Sequence, residues 1–138
     1  MKFENENITI LDEARKYYIG DESHLRSSLS KFLFKGNNVF KKINSLSGGE
    51  RIRLKLFCIV QEDFNVLIMD EPTNHIDIDT KEILERALSD YNGTLIFVSH
   101  DRYFINKLAK RIIYISNNKL NNYIGNYDLC KDKLQRNE

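Results

Sequence analysis

The run Val66-Leu67-Ile68-Met69-Asp70-Glu71-Pro72 decides the fold. Four consecutive apolar residues predict a short strand buried on both faces, as in parallel sheets. Two adjacent carboxylates close it, at the edge where open parallel sheets bind ligands. Such a pair suits magnesium coordination by Asp70 and water activation by Glu71. It equally suits a plain strand-ending turn closed by Pro72, the only proline.

On the C-terminal side the pattern alternates. A helix is predicted over roughly Thr80–Leu88, and Asn92-Gly93 turns the chain into a second buried strand, Thr94–Val98. A helix around Tyr103–Ala109 and a strand at Arg111–Ile115 follow. Asn117-Asn118 is a hairpin signal before Leu120–Ile124, and the tail from Tyr127 reads as helical. This alternation argues for an α/β domain with a parallel sheet. On the N-terminal side the chain reads as helices. Thr9–Tyr18 carries apolar residues at a helical period, and Ser23 caps a second helix ended by Gly36-Asn37-Asn38. A short turn over Val39–Ile43 precedes a long helix capped by Ser47, with Ile52, Leu54, Leu56, Phe57, Ile59 and Val60 as its apolar positions.

Ser47-Gly48-Gly49-Glu50 has the form of a capping box. That explains Ser47 and Glu50, but not two glycines in a first helical turn, where each costs about 1 kcal/mol against alanine. Close approach of an anion to the backbone would require them. A helix N-terminus offers that anion free N–H groups and a positive dipole end. His100 follows the strand ending at Val98, between Ser99 and Asp101. It could contact a phosphate or hold a water, or it could simply accompany Ser99 or Asp101 as the next helix cap.

Other chemistries fail on spacing. Asp77-Ile78-Asp79 begins like a calcium loop but lacks the glycine that must follow. His24, His75 and His100 have no zinc-ligand spacing, and no Gly-x-Ser-x-Gly is present. The positive residues of Arg51–Lys55 read as a solvated helix face, with nucleic-acid contact the minor alternative. Cys58 and Cys130 suggest neither a disulfide framework nor a metal site, so a reducing compartment is the expectation. The 138 residues suffice for one core, and a net charge of +1 gives no long-range pull toward polyanions. Local clusters could still bind phosphates. No apolar run approaches the ~20 residues that span a bilayer, and the polar start is unlike a signal peptide.

Taken together, the chain resembles an ATP-binding-cassette ATPase. Leu46–Glu50 resembles the family signature, Val66–Glu71 the Walker B strand, Asn74-His75-Ile76-Asp77 the D-loop, and His100 the switch histidine. The runs Asp70–His75 and Phe97–Phe104 resemble the ABC-F branch, twin-cassette proteins that act on the ribosome in translation or antibiotic resistance. Asp12–Arg15, Phe32–Gly36 and Leu46–Glu50 are most similar to its second, C-terminal cassette. Glu50 stands where transporter cassettes usually carry Gln, and Ile76 replaces the commoner Leu. No Gly-Lys-Ser or Gly-Lys-Thr phosphate loop is present.

The resemblance implies a partial P-loop ATPase core with parallel strands, preceded by a helical arm. It divides the chain into a helical subdomain, residues 1–62, and the C-terminal half of the core, residues 63–138. The implied cofactors are ATP and Mg²⁺. Ser47, Gly48, Gly49 and Glu50, with Asp77, would serve ATP held head-to-tail by a second cassette. Asp70 would be the magnesium ligand, Glu71 the general base and His100 a γ-phosphate contact. The implied setting is cytoplasmic, with the ribosome as partner of the intact parent and little activity in this chain alone. The alternatives are part of a membrane transporter's ATP-binding subunit, or a non-enzymatic module donating its signature helix. The resemblance also implies an unpaired edge at Leu95–Val98. That edge predicts a rearranged sheet, with Arg111–Ile115 paired beside it, or self-association.

Overall fold

A computed structural model describes residues 3–62, 64–116 and 118–135. Its helices are α1 (Ile10–Arg15), α2 (Glu22–Ser30), α3 (Gly48–Gln61), α4 (Ile78–Ser89), α5 (Arg102–Leu108) and α6 (Tyr127–Gln135). The strands are β1 (Val66–Asp70), β2 (Thr94–Val98), β3 (Arg111–Ser116) and β4 (Lys119–Ile124). Two 3₁₀ turns, Gly36–Phe40 and Ile43–Ser45, lie between α2 and α3. The chain divides into two compact units, Met1–Val66 with His75–Thr94, and Leu67–Asn74 with Leu95–Glu138.

The first unit is helical and holds most of the core. Ile10, Leu29, Leu54 and Phe57 are fully buried, and Phe57 meets Phe32 edge-on at 5.4 Å. Capping explains where its helices begin. Thr9 and Asp12 form a capping box at α1. Asp21, not Ser23, caps α2, accepting from the His24 N–H at 2.8 Å. A carboxylate at that position complements the helix dipole, and Ser23 lies inside the first turn.

The end of α2 also differs from expectation. Leu33 adopts φ 65°, and a Schellman pair forms: Phe34 N–H to Leu29 O at 3.1 Å, and Leu33 N–H to Ser30 O at 3.1 Å. Glycine usually fills that left-handed position. Here Phe34 and Leu29, the two positions whose hydrophobic contact accompanies the motif, are both buried, which favours the same turn with leucine, and the helix stops before Gly36.

β1 and β2 are parallel. Their starts are joined by Thr94 N–H to Asn65 O at 2.8 Å, and their ends by Glu71 N–H to Val98 O at 2.9 Å. They are not buried on both faces. Leu67, Met69, Leu95 and Phe97 are half-buried, whereas Val66, Ile68, Ile96 and Val98 are exposed. A two-stranded sheet presents two faces, and packing covers one. A continuous apolar run cannot announce which.

In the second unit, Phe104 of α5 is fully buried and meets Phe97 edge-on at 5.2 Å. β3 does not slide in beside Leu95–Val98. It pairs antiparallel with β4 in a separate sheet, from Arg111↔Ile124 to Ser116↔Lys119. A two-residue connection makes that pairing local, and local closure costs less chain entropy than a distant ladder. Asn118 takes the positive φ (58°) such a hairpin turn requires. Asn117 lies outside the described residues.

Candidate functional site

The motif residues fall in both units. The first unit carries the N-terminus of α3. The Glu50 N–H donates to Ser47 Oγ at 3.2 Å, and the Ser47 N–H donates to Glu50 Oε2 at 2.9 Å. Lys41 Nζ adds a 3.1 Å bond to Glu50 Oε1. The Ser47 backbone bond, opposed by burial and helped by Lys41, holds the Glu50 carboxyl below its ordinary value. Glu50 therefore stays anionic and keeps the first turn capped.

The two glycines have different reasons. A Cβ on Gly48 would meet nothing within 4 Å. A Cβ on Gly49 would lie 2.6 Å from Asp77 Oδ2. The anion beside Gly49 is thus the protein's own carboxylate, while Gly48 faces open space. Asp77 is the N-cap of α4: Oδ1 accepts from the Thr80 N–H at 2.9 Å and Oδ2 from the Thr80 hydroxyl at 2.8 Å. These bonds hold the Asp77 carboxyl below its ordinary value, with a smaller contribution from Arg53.

Arg53 and Thr80 complete this contact, and sequence patterning missed both. Thr80 is fully buried, and its hydroxyl accepts from Arg53 Nη1 at 3.1 Å. The Arg53 guanidinium also lies 5.9 Å from the centre of the Phe34 ring. Asp77-x-x-Thr80 has cap spacing, and Arg53 follows Gly49 by one helical turn; those were the available signals. The neighbouring cations are committed too. Arg51 makes a bidentate pair with Glu6 at 2.7 and 2.6 Å, and Lys55 lies 5.6 Å from the centre of the Phe3 ring. Thr80→Val removes the hydroxyl shared by Arg53 and Asp77. It is expected to cost about 1–3 kcal/mol in urea unfolding, the cost of polar groups losing a buried partner. An unchanged midpoint would show the network to be idle.

The second unit carries Asp70, Glu71 and His100. Asp70 is exposed at the end of β1. Glu71 sits at φ 43°, a left-handed conformation costing on the order of 1–2 kcal/mol for a non-glycine residue. Its backbone is fixed on both sides: its N–H donates to Val98 O, and its C=O accepts from the Asn74 N–H at 3.1 Å. The turn brings its carboxylate to His100. The His100 N–H donates to Oε2 at 3.3 Å, and His100 Nε2 lies 3.3 Å from Oε1. The Glu71 side chain is 21% exposed and the His100 side chain 96% exposed. His100 can therefore rotate toward a ligand while Glu71 stays anchored.

No group of three His, Cys, Asp or Glu among the described residues could hold a metal by itself. Magnesium does not require one, because it is bound by one or two carboxylates together with substrate phosphates and water. The exposed Asp70 carboxylate fits that role. Among the described residues, no helix is long and apolar enough to cross a membrane.

The family profile described as ABC transporter matches residues 4–74. The chain is 50% identical to YdiF of Bacillus subtilis over 125 residues, covering 90% of this chain and 20% of that protein. It is 38% identical to ABC transporter F family member 2 of Arabidopsis thaliana, over 91% of this chain and 18% of that one. It thus spans about a fifth of the length of these curated relatives. Among solved structures, the crystal complex of archaeal ribosomal stalk protein aP1 with the archaeal ribosome recycling factor aABCE1 aligns with a TM-score of 0.70. The identity is 20%, with 99% of this chain and 28% of that chain covered, so the likeness is one of fold.

Proposed function

Since the chain belongs to the ABC transporter family and its relatives include members of the F branch, we propose that it supplies two half-sites for ATP hydrolysis. The observation that carries this reading is the pair of glycines. Gly48 leaves the capped, dipole-positive start of α3 open to a phosphate, while Gly49 is closed by Asp77.

In this proposal Ser47 and Gly48 face the γ-phosphate of ATP held by a second cassette, and Gly49 lets the start of α3 close on Asp77. Glu50 and Asp77 hold that surface in shape. Asp70, Glu71 and His100 serve a second ATP, whose phosphates need a glycine-rich loop. Asp70 would bind Mg²⁺, which offsets charge on the phosphates when present. Glu71 would take a proton from the attacking water, and His100 would contact the γ-phosphate. Grouped by motif, residues 1–62 form the signature-bearing helical part and 63–138 the ATPase part.

The F-branch relatives and the fold shared with a ribosome recycling factor favour a cytoplasmic role on the ribosome. A role within a transporter's ATP-binding subunit is the second reading, since the matched family is named for transporters. The 138-residue chain by itself is expected to bind Mg-ATP weakly or not at all. It contains no Gly-Lys-Ser or Gly-Lys-Thr loop, the element whose backbone and lysine hold the β- and γ-phosphates. Titration calorimetry tests this. Micromolar affinity at one-to-one stoichiometry would refute the half-site reading.

A further inference from the structure

A helix start offered to a phosphate is a poor place for another anion, yet the Asp77 carboxylate stands beside it. The space a Gly49 Cβ would take lies 2.6 Å from Asp77 Oδ2, 3.4 Å from Thr80 Oγ1 and 3.7 Å from Arg53 Nη1. These three groups are joined in series. Arg53 Nη1 donates to Thr80 Oγ1 at 3.1 Å, and the Thr80 hydroxyl donates to Asp77 Oδ2 at 2.8 Å. The Thr80 bonds hold the Asp77 carboxyl below its ordinary value, so it carries its negative charge at neutral pH.

Capping alone does not account for Arg53. The cap of α4 is complete without it, since Asp77 Oδ1 takes the Thr80 N–H and Oδ2 the Thr80 hydroxyl. Arg53 is not neutralised elsewhere either. Among the described residues it forms no ion pair, and its Nε is buried without a hydrogen-bond partner. A buried donor left unpaired is a cost, so some other gain holds the guanidinium in place. What Arg53 adds at this position is a positive charge close to Asp77 and Gly49.

We propose that Arg53 is a positioning residue for the phosphate at Gly48, offsetting the Asp77 charge so that the start of α3 can accept a further anion. This role presupposes the half-site reading above. Arg53 acts through Thr80 and Asp77 and need not touch the phosphate. Its effect grows once a second cassette covers the start of α3, because charges interact more strongly where water is excluded.

Steady-state Mg-ATP hydrolysis by a two-cassette protein containing this chain tests the role. Arg53→Gln removes the charge and keeps a donor for Thr80; it should raise KM about five- to tenfold and change kcat less than about twofold. Arg53→Lys keeps the charge and should leave both within about twofold. Asp77→Asn retains a capping side chain without the anion, and by itself should lower KM about twofold or more. Combined with Arg53→Gln it restores the charge balance, and KM should return to within about twofold of wild type. A purely structural Arg53 gives the opposite result, because a second change in the same network would deepen the first loss. An unchanged KM in Arg53→Gln, a raised KM in Asp77→Asn, or a double variant no better than Arg53→Gln would overturn the role of Arg53 and leave the half-site reading standing. Gly48→Ala, measured alongside, separates the two: turnover at the wild-type rate would reject the phosphate at α3, and the role of Arg53 with it.

Discussion

Glu71→Gln, made in a polypeptide that supplies a phosphate loop to this chain, is expected to lower ATP turnover about 10²–10⁴-fold while nucleotide binding survives. The substitution keeps the shape of the side chain. Its amide oxygen can still accept from the His100 N–H, now 3.3 Å from Glu71 Oε2. The backbone bonds to Val98 and Asn74 remain, so the left-handed turn is not released. What disappears is a group able to take a proton from water. The protein should therefore retain ATP without cleaving it, visible as bound nucleotide with little phosphate release. Turnover at the wild-type rate would reject Glu71 as the base. Loss of binding together with turnover would assign it to holding the ligand instead.

The second large effect separates Gly48 from Gly49. Gly48→Ala adds a methyl group where no atom lies within 4 Å. This chain should be as stable as before, or more stable by up to about 1 kcal/mol through helix propensity. In a two-cassette protein the same methyl would stand where a phosphate approaches α3. Hydrolysis should fall about 10²-fold or more, comparable to losing a donor from an anion-binding pocket.

Gly49→Ala should behave in the opposite way in the isolated chain. Its methyl would sit 2.6 Å from Asp77 Oδ2, a carboxylate held in place by both the Thr80 N–H and hydroxyl. The carboxylate must swing away and loosen the cap of α4. Overpacking of this kind costs about 1–3 kcal/mol, offset by about 1 kcal/mol of helix propensity. A net loss of up to about 2 kcal/mol in urea unfolding is expected. Equal stability of the two variants would show that Asp77 yields freely and that Gly49 has no structural duty.

The motifs were legible because each is local. Ser47 and Glu50 specify their own capping box, and Asn118 marks the short connection between two strands adjacent in sequence. Alternation of strands and helices gave the α/β class and the parallel β1–β2 pair. What escaped was set by partners distant in sequence. The Asp77 carboxylate beside Gly49 could not be foreseen, because the contact joins residues 28 positions apart. The α2 stop at Leu33 was hidden because a non-glycine residue took the left-handed position. Burial of β1 and β2 was overstated because an apolar run carries no period-2 signal. The expected move of Arg111–Ile115 beside Leu95–Val98 overlooked how readily β3 closes on β4. Arg51, Arg53 and Lys55 looked like a solvated row, yet each has a partner inside the fold.

The central claim is that α3 presents its start to an ATP held by another cassette, while Glu71 and His100 serve a different one. The structure of a two-cassette protein containing this chain and Glu71→Gln, determined with Mg-ATP, tests it most directly. One γ-phosphate is expected within hydrogen-bond reach of the Gly48 N–H and the Ser47 hydroxyl, and a second beside residue 71 and His100. A structure in which the α3 N-terminus meets no phosphate, or in which one ATP touches both groups of residues, would contradict it.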